Sequence, residues 1–194
     1  EESPMKRLAI PLVPALVLAL LPMAAASASA AELAGVTMAD TAEAGGQKLV
    51  LNGMGLREKF FIDVYVAGLY LPSKQRSGEA ILSADTPRRL VMHFTYDVSK
   101  QQVCDAWYES LAGNRRDASA ALKKDFDTLC SYMEDVTKGE ELTFIYVPGD
   151  GTTIEVKGET KGALAGKDFA DALFASWIGD RPATGKLKKG LLGG

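Results

Sequence analysis

The stretch LNGMGLREKFFIDVYVAGLYLP, residues 51–72, decides how the rest of the sequence is interpreted. Over residues 60–67, one set of alternate positions is uniformly apolar and the other set is mixed. This period of two predicts a β-strand in a sheet with one face against helices and the other against a less dry layer. The apolar set is Phe60, Ile62, Val64 and Val66, and the mixed set is Phe61, Asp63, Tyr65 and Ala67.

Arg57 is a charged residue in a stretch that is otherwise mostly apolar. A fixed cation just before aromatic and β-branched residues has two interpretations. It is either a solvated hairpin end beside Glu58 and Lys59, or the polar end of an apolar ligand pocket. Residue types alone favour the hairpin end.

The segment NGMGLR resembles a phosphate-binding loop, but the dinucleotide pattern fails here. Its third glycine would fall on Glu58, and no helical pattern follows. Gly53 and Gly55 are therefore interpreted as a bulge or a point of close backbone approach.

The order of the predicted elements indicates an α+β fold with a mostly antiparallel sheet. Strands come first, then helices, then a hairpin with the turn signal PGDG at 148–151, and then a helix that Gly179 ends as its C′ residue. Ser99 followed by Gln102 predicts a capping box at one helix start. The predicted strands are 36–38, 48–51, 60–71, 88–95, 142–147 and 152–157, and the predicted helices are 77–83, 99–113, 118–133 and 167–178.

The first thirty residues have the layout of a secretory signal peptide. Met5, Lys6 and Arg7 form a short basic start before an apolar run at 8–21, and an A-x-A site at 28–30 predicts cleavage before Ala31. A retained anchor is the alternative, but prolines interrupt the run and it is shorter than the ~20 residues a span needs. We expect residues 1–4 to be an added leader or the result of a start codon assigned too early. We expect export, most simply to a bacterial periplasm, of one domain at 31–194 with no stable membrane span.

Composition excludes several classes of function. The formal net charge is −3, which argues against nucleic acid as a partner. A single histidine, His93, excludes a multi-histidine metal site, and two cysteines without more histidines cannot form a structural zinc site. His93 lies in a predicted strand among apolar residues, so we interpret it as a packed or surface residue without a catalytic role.

Cys104 and Cys130 fall on consecutive predicted helices. An exported protein meets oxidising conditions, which favours a disulfide. Counted from a turn near 113–117, however, the two residues lie about 14 and 20 Å along their helices, which disfavours one. The sequence leaves the bond open. A catalytic cysteine is the weaker interpretation, because no helper residue is evident.

Two motifs resemble the chalcone isomerase fold family, in particular its bacterial, exported chalcone-isomerase-like branch. Residues 51–72 are similar to the family's G-x-G-[VL]-R stretch and its following K-F-x-x-x-x-x-x-G-[VL]-Y-L strand, and ALFASWIG at 172–179 resembles its A-V-L-E-S-I-I-G helix. The resemblance implies an open-faced β-sandwich: a long, mostly antiparallel sheet, a layer of helices on one face, and a ligand cleft between them.

The resemblance also implies site residues. Arg57 matches the family arginine, Ser176 matches the small hydroxyl residue of the final helix, and Tyr65 stands where the isomerases carry threonine. Tyr96 is the nearest candidate for the family's cleft tyrosine. In fatty-acid-binding members, an arginine and a tyrosine hold a carboxylate; in isomerases, the cleft closes a chalcone's ring by attack of a phenolate on an enone. Neither chemistry requires a cofactor.

Three functions follow as hypotheses. The first is an exported protein that binds a fatty acid or a similar apolar anion, with Arg57, Tyr65, Tyr96 and Ser176 lining the cleft. The alternative is an isomerase, an intramolecular lyase acting on a chalcone-like enone, with Arg57, Tyr65 and Tyr96 as catalytic residues. The third is an interaction module whose cleft has closed around Tyr65. The tyrosine at position 65 favours binding over flavanone formation.

Overall fold

The computed structural model of this protein describes residues 30–194. The predicted signal segment, apart from Ala30, lies outside the described residues. Nine strands and five helices follow one another within the described range. The strands are β1 (Ala30–Leu33), β2 (Val36–Ala39), β3 (Thr41–Ala44), β4 (Gln47–Lys59), β5 (Ile62–Leu71), β6 (Arg88–Phe94), β7 (Glu141–Val147), β8 (Gly151–Val156) and β9 (Glu159–Leu164). The helices are α1 (Gly78–Ser83), α2 (Lys100–Asn114), α3 (Ala120–Tyr132), α4 (Lys167–Ile178) and α5 (Gly185–Leu191).

Seven strands, β3 to β9, form one sheet whose spatial order equals the chain order. Every neighbouring pair in it is antiparallel. Helix α1 is inserted between β5 and β6, and α2 and α3 are inserted between β6 and β7. The predicted α+β class and antiparallel sheet are therefore confirmed.

The sheet is covered on both faces. Tyr65, Ala67 and Leu69 of β5 point into the larger core, which the helices complete. Val66 and Tyr70 of the same strand point into a smaller core with the two-stranded β1–β2 hairpin. The predicted alternation of faces is confirmed, but the faces are exchanged: Tyr65 and Ala67 of the mixed set face the helices, and Val66 of the apolar set faces the hairpin.

The helices begin at residues that the sequence marks. Ser77, Ser99 and Ser119 accept hydrogen bonds from backbone amides in the first turns of α1, α2 and α3, and Ser99 forms the predicted capping box with Gln102. Within residues 30–194, none of the helices has the length and apolarity required to span a bilayer.

The predicted strand 60–71 is wrong at its start. Strand β4 continues through Arg57 to Lys59, and Phe60 and Phe61 form a two-residue turn into β5. Both phenylalanines are exposed, so the apolar alternation that includes them is not a buried strand face. The prediction failed because a turn of bulky residues continues the alternating pattern without glycine or proline to interrupt it.

Gly53 and Gly55 confirm the predicted bulge and close approach. The pairing of β4 with β5 shifts register between Leu51 and Gly53. A Cβ on Gly53 would lie 2.2 Å from the Gly190 carbonyl oxygen, and one on Gly55 would lie 2.4 Å from that of Leu187. The two glycines therefore let α5, which the sequence analysis missed, lie directly on the backbone of β4.

Cys104 of α2 and Cys130 of α3 form a disulfide, with their Cα atoms 5.6 Å apart. Helix α2 ends at Asn114 and α3 begins at Ala120. Each cysteine therefore lies ten residues from the connecting loop, so the two lie at the same distance along their helices. The predicted boundaries, 113 and 118, displaced the connecting loop and produced the apparent offset.

Gly179 ends α4 as predicted, but with a φ of −72° it is not a left-handed C′ residue. Its small size is what matters. A Cβ there would lie 2.6 Å from the Ala175 carbonyl oxygen and 2.7 Å from Oδ1 of Asn114 in α2.

Candidate functional site

Arg57 and Tyr65 are direct partners across the β4–β5 hairpin. Directly opposed residues of antiparallel strands point to the same face of a sheet, and for Tyr65 that is the helix-facing side. Because the hairpin turns only three residues after Arg57, the pair lies near one end of the sheet. Arg57 is therefore close to a hairpin end, as the first interpretation predicts, and it faces the helix side of the sheet. Its role as the polar end of a ligand pocket stays a prediction.

Tyr65 is buried beneath the helix layer. Its hydroxyl oxygen accepts a hydrogen bond from Nε1 of Trp177 in α4 at 3.2 Å, and its ring lies 5.6 Å from that of Phe94. Burial raises the pKa of Tyr65 to about 12 and outweighs the opposing effects of the Trp177 hydrogen bond and the Arg57 charge. Tyr65 is therefore a neutral phenol at physiological pH, able to donate its proton to a ligand oxygen.

Arg57 is half-buried, and its Nη1 donates to the Glu58 carbonyl oxygen at 2.9 Å. Among residues 30–194, no carboxylate lies within 4.0 Å of its guanidinium, whereas the half-buried Arg89 and Arg115 each have one. A guanidinium offers five N–H donors in a planar fork, so most of this donor set remains available to an external anion.

The other two predicted site residues are placed differently. Ser176 is buried in α4, next to Trp177 in the chain, and its Oγ has no hydrogen-bond partner in the described part of the chain. Tyr96 follows β6, where Thr95 donates to the backbone carbonyls of Val64 and Asp63, and its side chain is 51% exposed. The structure thus brings Arg57 and Tyr65 together and leaves Tyr96 on the surface at the same end of the sheet.

The helix–sheet layer at Tyr65 is filled by side chains. Phe94 and Trp177 are 1% exposed, and both contribute to the larger core. Two surface depressions on residues 30–194 lie elsewhere and include none of the four predicted site residues. One, of about 370 Å³, lies between the β3–β4 and β7–β8 turns; the other, of about 540 Å³, lies between β1 and β4 beside Lys74.

A second arginine, Arg88, forms a buried cluster that the sequence analysis missed. Its guanidinium carbon lies 4.8 Å from the ring centres of both Tyr146 and Phe174, and its Nη2 donates to Asp171 at 2.5 Å. Lys167 also pairs with Asp171 at 2.5 Å. The sequence did contain a signal for the burial of Arg88. Arg88 lies an even number of residues from Leu90, Met92 and Phe94, so it points to the same face of its strand, and the alternation marks that face as buried.

The Arg88 cluster is internally neutralised. Asp171 receives both cations, Nη1 of Arg88 donates to the Ile81 carbonyl oxygen, and the Tyr146 hydroxyl donates to Asp85 at 2.5 Å. Burial raises the pKa of Tyr146 to about 12, and the hydrogen bond to Asp85 and its charge add to the effect. With its charges satisfied within the fold, this cluster is a structural element.

The described chain is thus an antiparallel seven-stranded sheet with a helix layer on one face, and Arg57 and Tyr65 lie opposite each other on that face. The sequence profile of the chalcone isomerase-like family matches residues 30–193. The chain belongs to this family.

Comparison with solved structures supports the fold assignment. The crystal structure of a fatty-acid-binding protein of Arabidopsis thaliana is similar to this chain with a TM-score of 0.67, at 16% sequence identity, over 84% of this chain and 96% of the plant protein. At this identity the similarity establishes the fold. No curated protein sequence matches the chain.

Proposed function

We propose that this protein binds a fatty acid or a similar apolar anion, with its carboxylate held by Arg57 and Tyr65. The observation that carries the proposal is the half-buried Arg57, which has no carboxylate partner among the described residues and lies directly opposite a buried neutral phenol. The fatty-acid-binding protein of similar fold adds support from comparison.

The chemistry of the pair suits a carboxylate. The Arg57 guanidinium supplies parallel N–H donors, and the Tyr65 hydroxyl, which accepts from Trp177, retains its own proton for donation. Charge-assisted hydrogen bonds of this type contribute roughly 1.5–3 kcal/mol each. A proton donor and a fixed cation on one face recognise an anion without any cofactor.

The alkyl chain of the ligand would enter the helix–sheet layer, which the side chains of Tyr65, Phe94 and Trp177 fill. Binding in that layer therefore requires these rings to change rotamer or α4 to move away from the sheet. We expect association to be slow compared with binding to an open pocket, because the rearrangement precedes or accompanies ligand entry.

The experiment is titration of the full chain with the fluorescent fatty acid cis-parinaric acid. We expect Arg57→Met to weaken binding at least about tenfold, since one charge-assisted bond is worth roughly 1.5–3 kcal/mol. The matched control is Arg116→Met, at an exposed arginine, which should leave the affinity unchanged. Equal affinity of wild type and Arg57→Met would contradict the proposal.

A chalcone isomerase-type reaction is the second candidate, and the neutral state of Tyr65 favours it. A neutral phenol directly opposite an arginine can donate a hydrogen bond to a ketone oxygen while the guanidinium stabilises the enolate. Its test is the cyclisation of naringenin chalcone. A rate above the spontaneous rate that falls with Arg57→Met and Tyr65→Phe would establish it, and a rate equal to the spontaneous one would exclude it.

A closed interaction module is the third candidate, favoured by the filled layer around Tyr65. It predicts that neither parinaric acid nor naringenin chalcone binds, and that mass spectrometry finds no lipid in organic extracts of the purified protein. Recovery of a stoichiometric fatty acid would exclude it.

We also propose that the protein is exported, to a bacterial periplasm, with cleavage before Ala31. The Cys104–Cys130 disulfide supports an oxidising compartment, and the cut would remove one residue of β1. Expression of the full chain in a bacterial host, followed by N-terminal sequencing of protein from the periplasmic fraction, tests this. Intact protein confined to the cytoplasm would contradict it.

A further inference from the structure

The β4–β5 turn carries the most exposed large apolar side chains among residues 30–194. Phe60 is 83% exposed and Phe61 is 99% exposed, and Ile62 beside them is also exposed. Tyr96 adds a fourth exposed large side chain at the same end of the sheet, since Thr95 is hydrogen-bonded to Asp63 and Val64. In contrast, Tyr108 of α2 lies elsewhere and uses its hydroxyl to donate to Asp127.

The turn also has an unfavourable backbone conformation for its residues. Phe60 and Phe61 have φ of 50° and 66°, the left-handed region that bulky residues rarely adopt. Three other two-residue turns join strands in the described chain, and each has glycine at its second position: Ala34–Gly35, Gly45–Gly46 and Lys157–Gly158. The chain therefore uses glycine at every comparable turn except the one where two aromatic side chains project into solvent.

The turn and helix α5 together carry more basic than acidic side chains. Helix α5 lies on β4, carries Lys186, Lys188 and Lys189, and has no acidic residue. Nζ of Lys186 pairs with Glu58 at 2.9 Å, so α5 and the turn share one corner of the molecule. Without Arg57, residues 58–63 and α5 together hold four basic and two acidic side chains, whereas the whole chain has a net charge of −3.

We propose that this corner docks on an anionic lipid surface, with Phe60 and Phe61 inserted between the headgroups and the exposed Lys186 and Lys189 of α5 facing the lipid phosphates. Nζ of the third lysine, Lys188, instead donates to the Gly179 carbonyl oxygen at 2.8 Å. Two adjacent aromatic rings on a convex tip suit a soft interface, where aromatic side chains are favoured. Clustered lysines add electrostatic attraction to anionic lipid. The strained turn then has a physical reason, because it holds both rings outward. This inference goes beyond the proposed function and does not depend on what Arg57 binds.

The experiment places a tryptophan reporter beside the tip. Ile62→Trp in the full chain is mixed with vesicles containing equal parts of brominated phosphatidylcholine and brominated phosphatidylglycerol, whose bromine atoms quench inserted tryptophans. The natural Trp107 and Trp177 are 3% and 1% exposed, so they contribute a constant background. We expect quenching of the new tryptophan that weakens with salt and on vesicles of phosphatidylcholine alone.

The matched control is Tyr108→Trp, an exposed aromatic position away from the tip, which should not be quenched. The same reporter with Phe60→Asn and Phe61→Gly should lose quenching, while the melting temperature rises by about 2–4 °C because an Asn-Gly turn suits this geometry. Quenching that survives this double change overturns the proposal. A lowered melting temperature, equal quenching at both reporter positions, or concentration-dependent dimerisation that vanishes with the double change also overturns it, the last in favour of a second copy of the chain.

Discussion

Two arginine–tyrosine pairs lie on the helix-facing side of the sheet, and the fold treats them in opposite ways. Arg57 is directly opposite Tyr65 on the neighbouring strand, and Arg88 is directly opposite Tyr146 in the same manner. Arg88 is fully buried and meets Asp171, whereas Arg57 is half-buried and meets no carboxylate of residues 30–194. Tyr65 pairs with Phe94 at the other end of β6 from Arg88, about 20 Å away along the strand.

The difference is that the fold supplies a counter-ion to Arg88 but supplies none from residues 30–194 to Arg57, the arginine that we propose binds a ligand carboxylate. A buried guanidinium without an anion is too costly to maintain, so the Arg88 cluster must bring its own counter-ion. Arg57 keeps part of its surface in water and can remain without one. The same pair of residue types therefore stabilises the fold at one end of the sheet and forms the candidate binding site at the other.

The largest expected effect on stability comes from breaking the Arg88–Asp171 ion pair. Asp171→Ala leaves the fully buried Arg88 without its carboxylate, so we expect the free energy of unfolding to fall by about 3–5 kcal/mol. Urea denaturation followed by circular dichroism measures the loss. A loss below about 1 kcal/mol would mean that water or another group neutralises Arg88.

Alkaline pH should lower the free energy of unfolding, because Tyr65 and Tyr146 ionise more readily in the unfolded chain than in the fold. The pKa of Tyr65 and of Tyr146 rises from 10.0 in the unfolded chain to about 12 in the fold. Above pH 10 the unfolded tyrosines lose protons that the folded ones keep, so stability falls as pH rises through the interval up to about 12.

Each tyrosine should account for at most about 3 kcal/mol of that alkaline loss, since one pKa unit corresponds to about 1.4 kcal/mol. Tyr65→Phe or Tyr146→Phe should therefore flatten the fall in stability measured by urea denaturation between these pH values. An unchanged slope in either variant would show that the tyrosine in question ionises as readily in the folded protein as in the unfolded chain.

At neutral pH, Tyr65→Phe tests the candidate site alone. The change removes the acceptor of the Trp177 Nε1–H and leaves that buried donor unsatisfied, so we expect a loss of about 1–2 kcal/mol in thermal or urea unfolding. The control is Trp177→Phe in the same background, because the two changes together should cost less than their sum. Strict additivity would argue against the hydrogen bond.

The smallest expected effect is that of Arg57→Met on stability. Its one hydrogen bond within the described chain goes to a neighbouring carbonyl near the surface, so we expect the free energy of unfolding to change by less than about 0.5 kcal/mol. Loss of fatty-acid binding without loss of stability would complete the contrast with Arg88. A loss comparable to that of Asp171→Ala would make Arg57 a structural residue as well.

The sequence predicted much of the fold because its signals are local. Ser99 and Gln102 cap α2 within one turn, α4 has the predicted bounds, and the PGDG turn joins two strands. The turn at Phe60 and Phe61 was missed because its residues belong to strands by propensity, and α5 was missed because it is short and rich in lysine. Its place on β4 depends on Gly53 and Gly55, more than 130 residues away in the chain.

The candidate site, like the fold, was only partly predictable from the sequence. The family resemblance singled out Arg57 as a candidate site residue, whereas alternation and residue types alone favoured a solvated hairpin end. Only the tertiary structure decided that Tyr65 lies opposite Arg57, that Trp177 approaches from α4, and that Arg88 and not Arg57 is neutralised by Asp171. Periodicity is a property of neighbouring residues, whereas a counter-ion, a hydrogen-bond partner and a filled layer are set by which distant segments pack together.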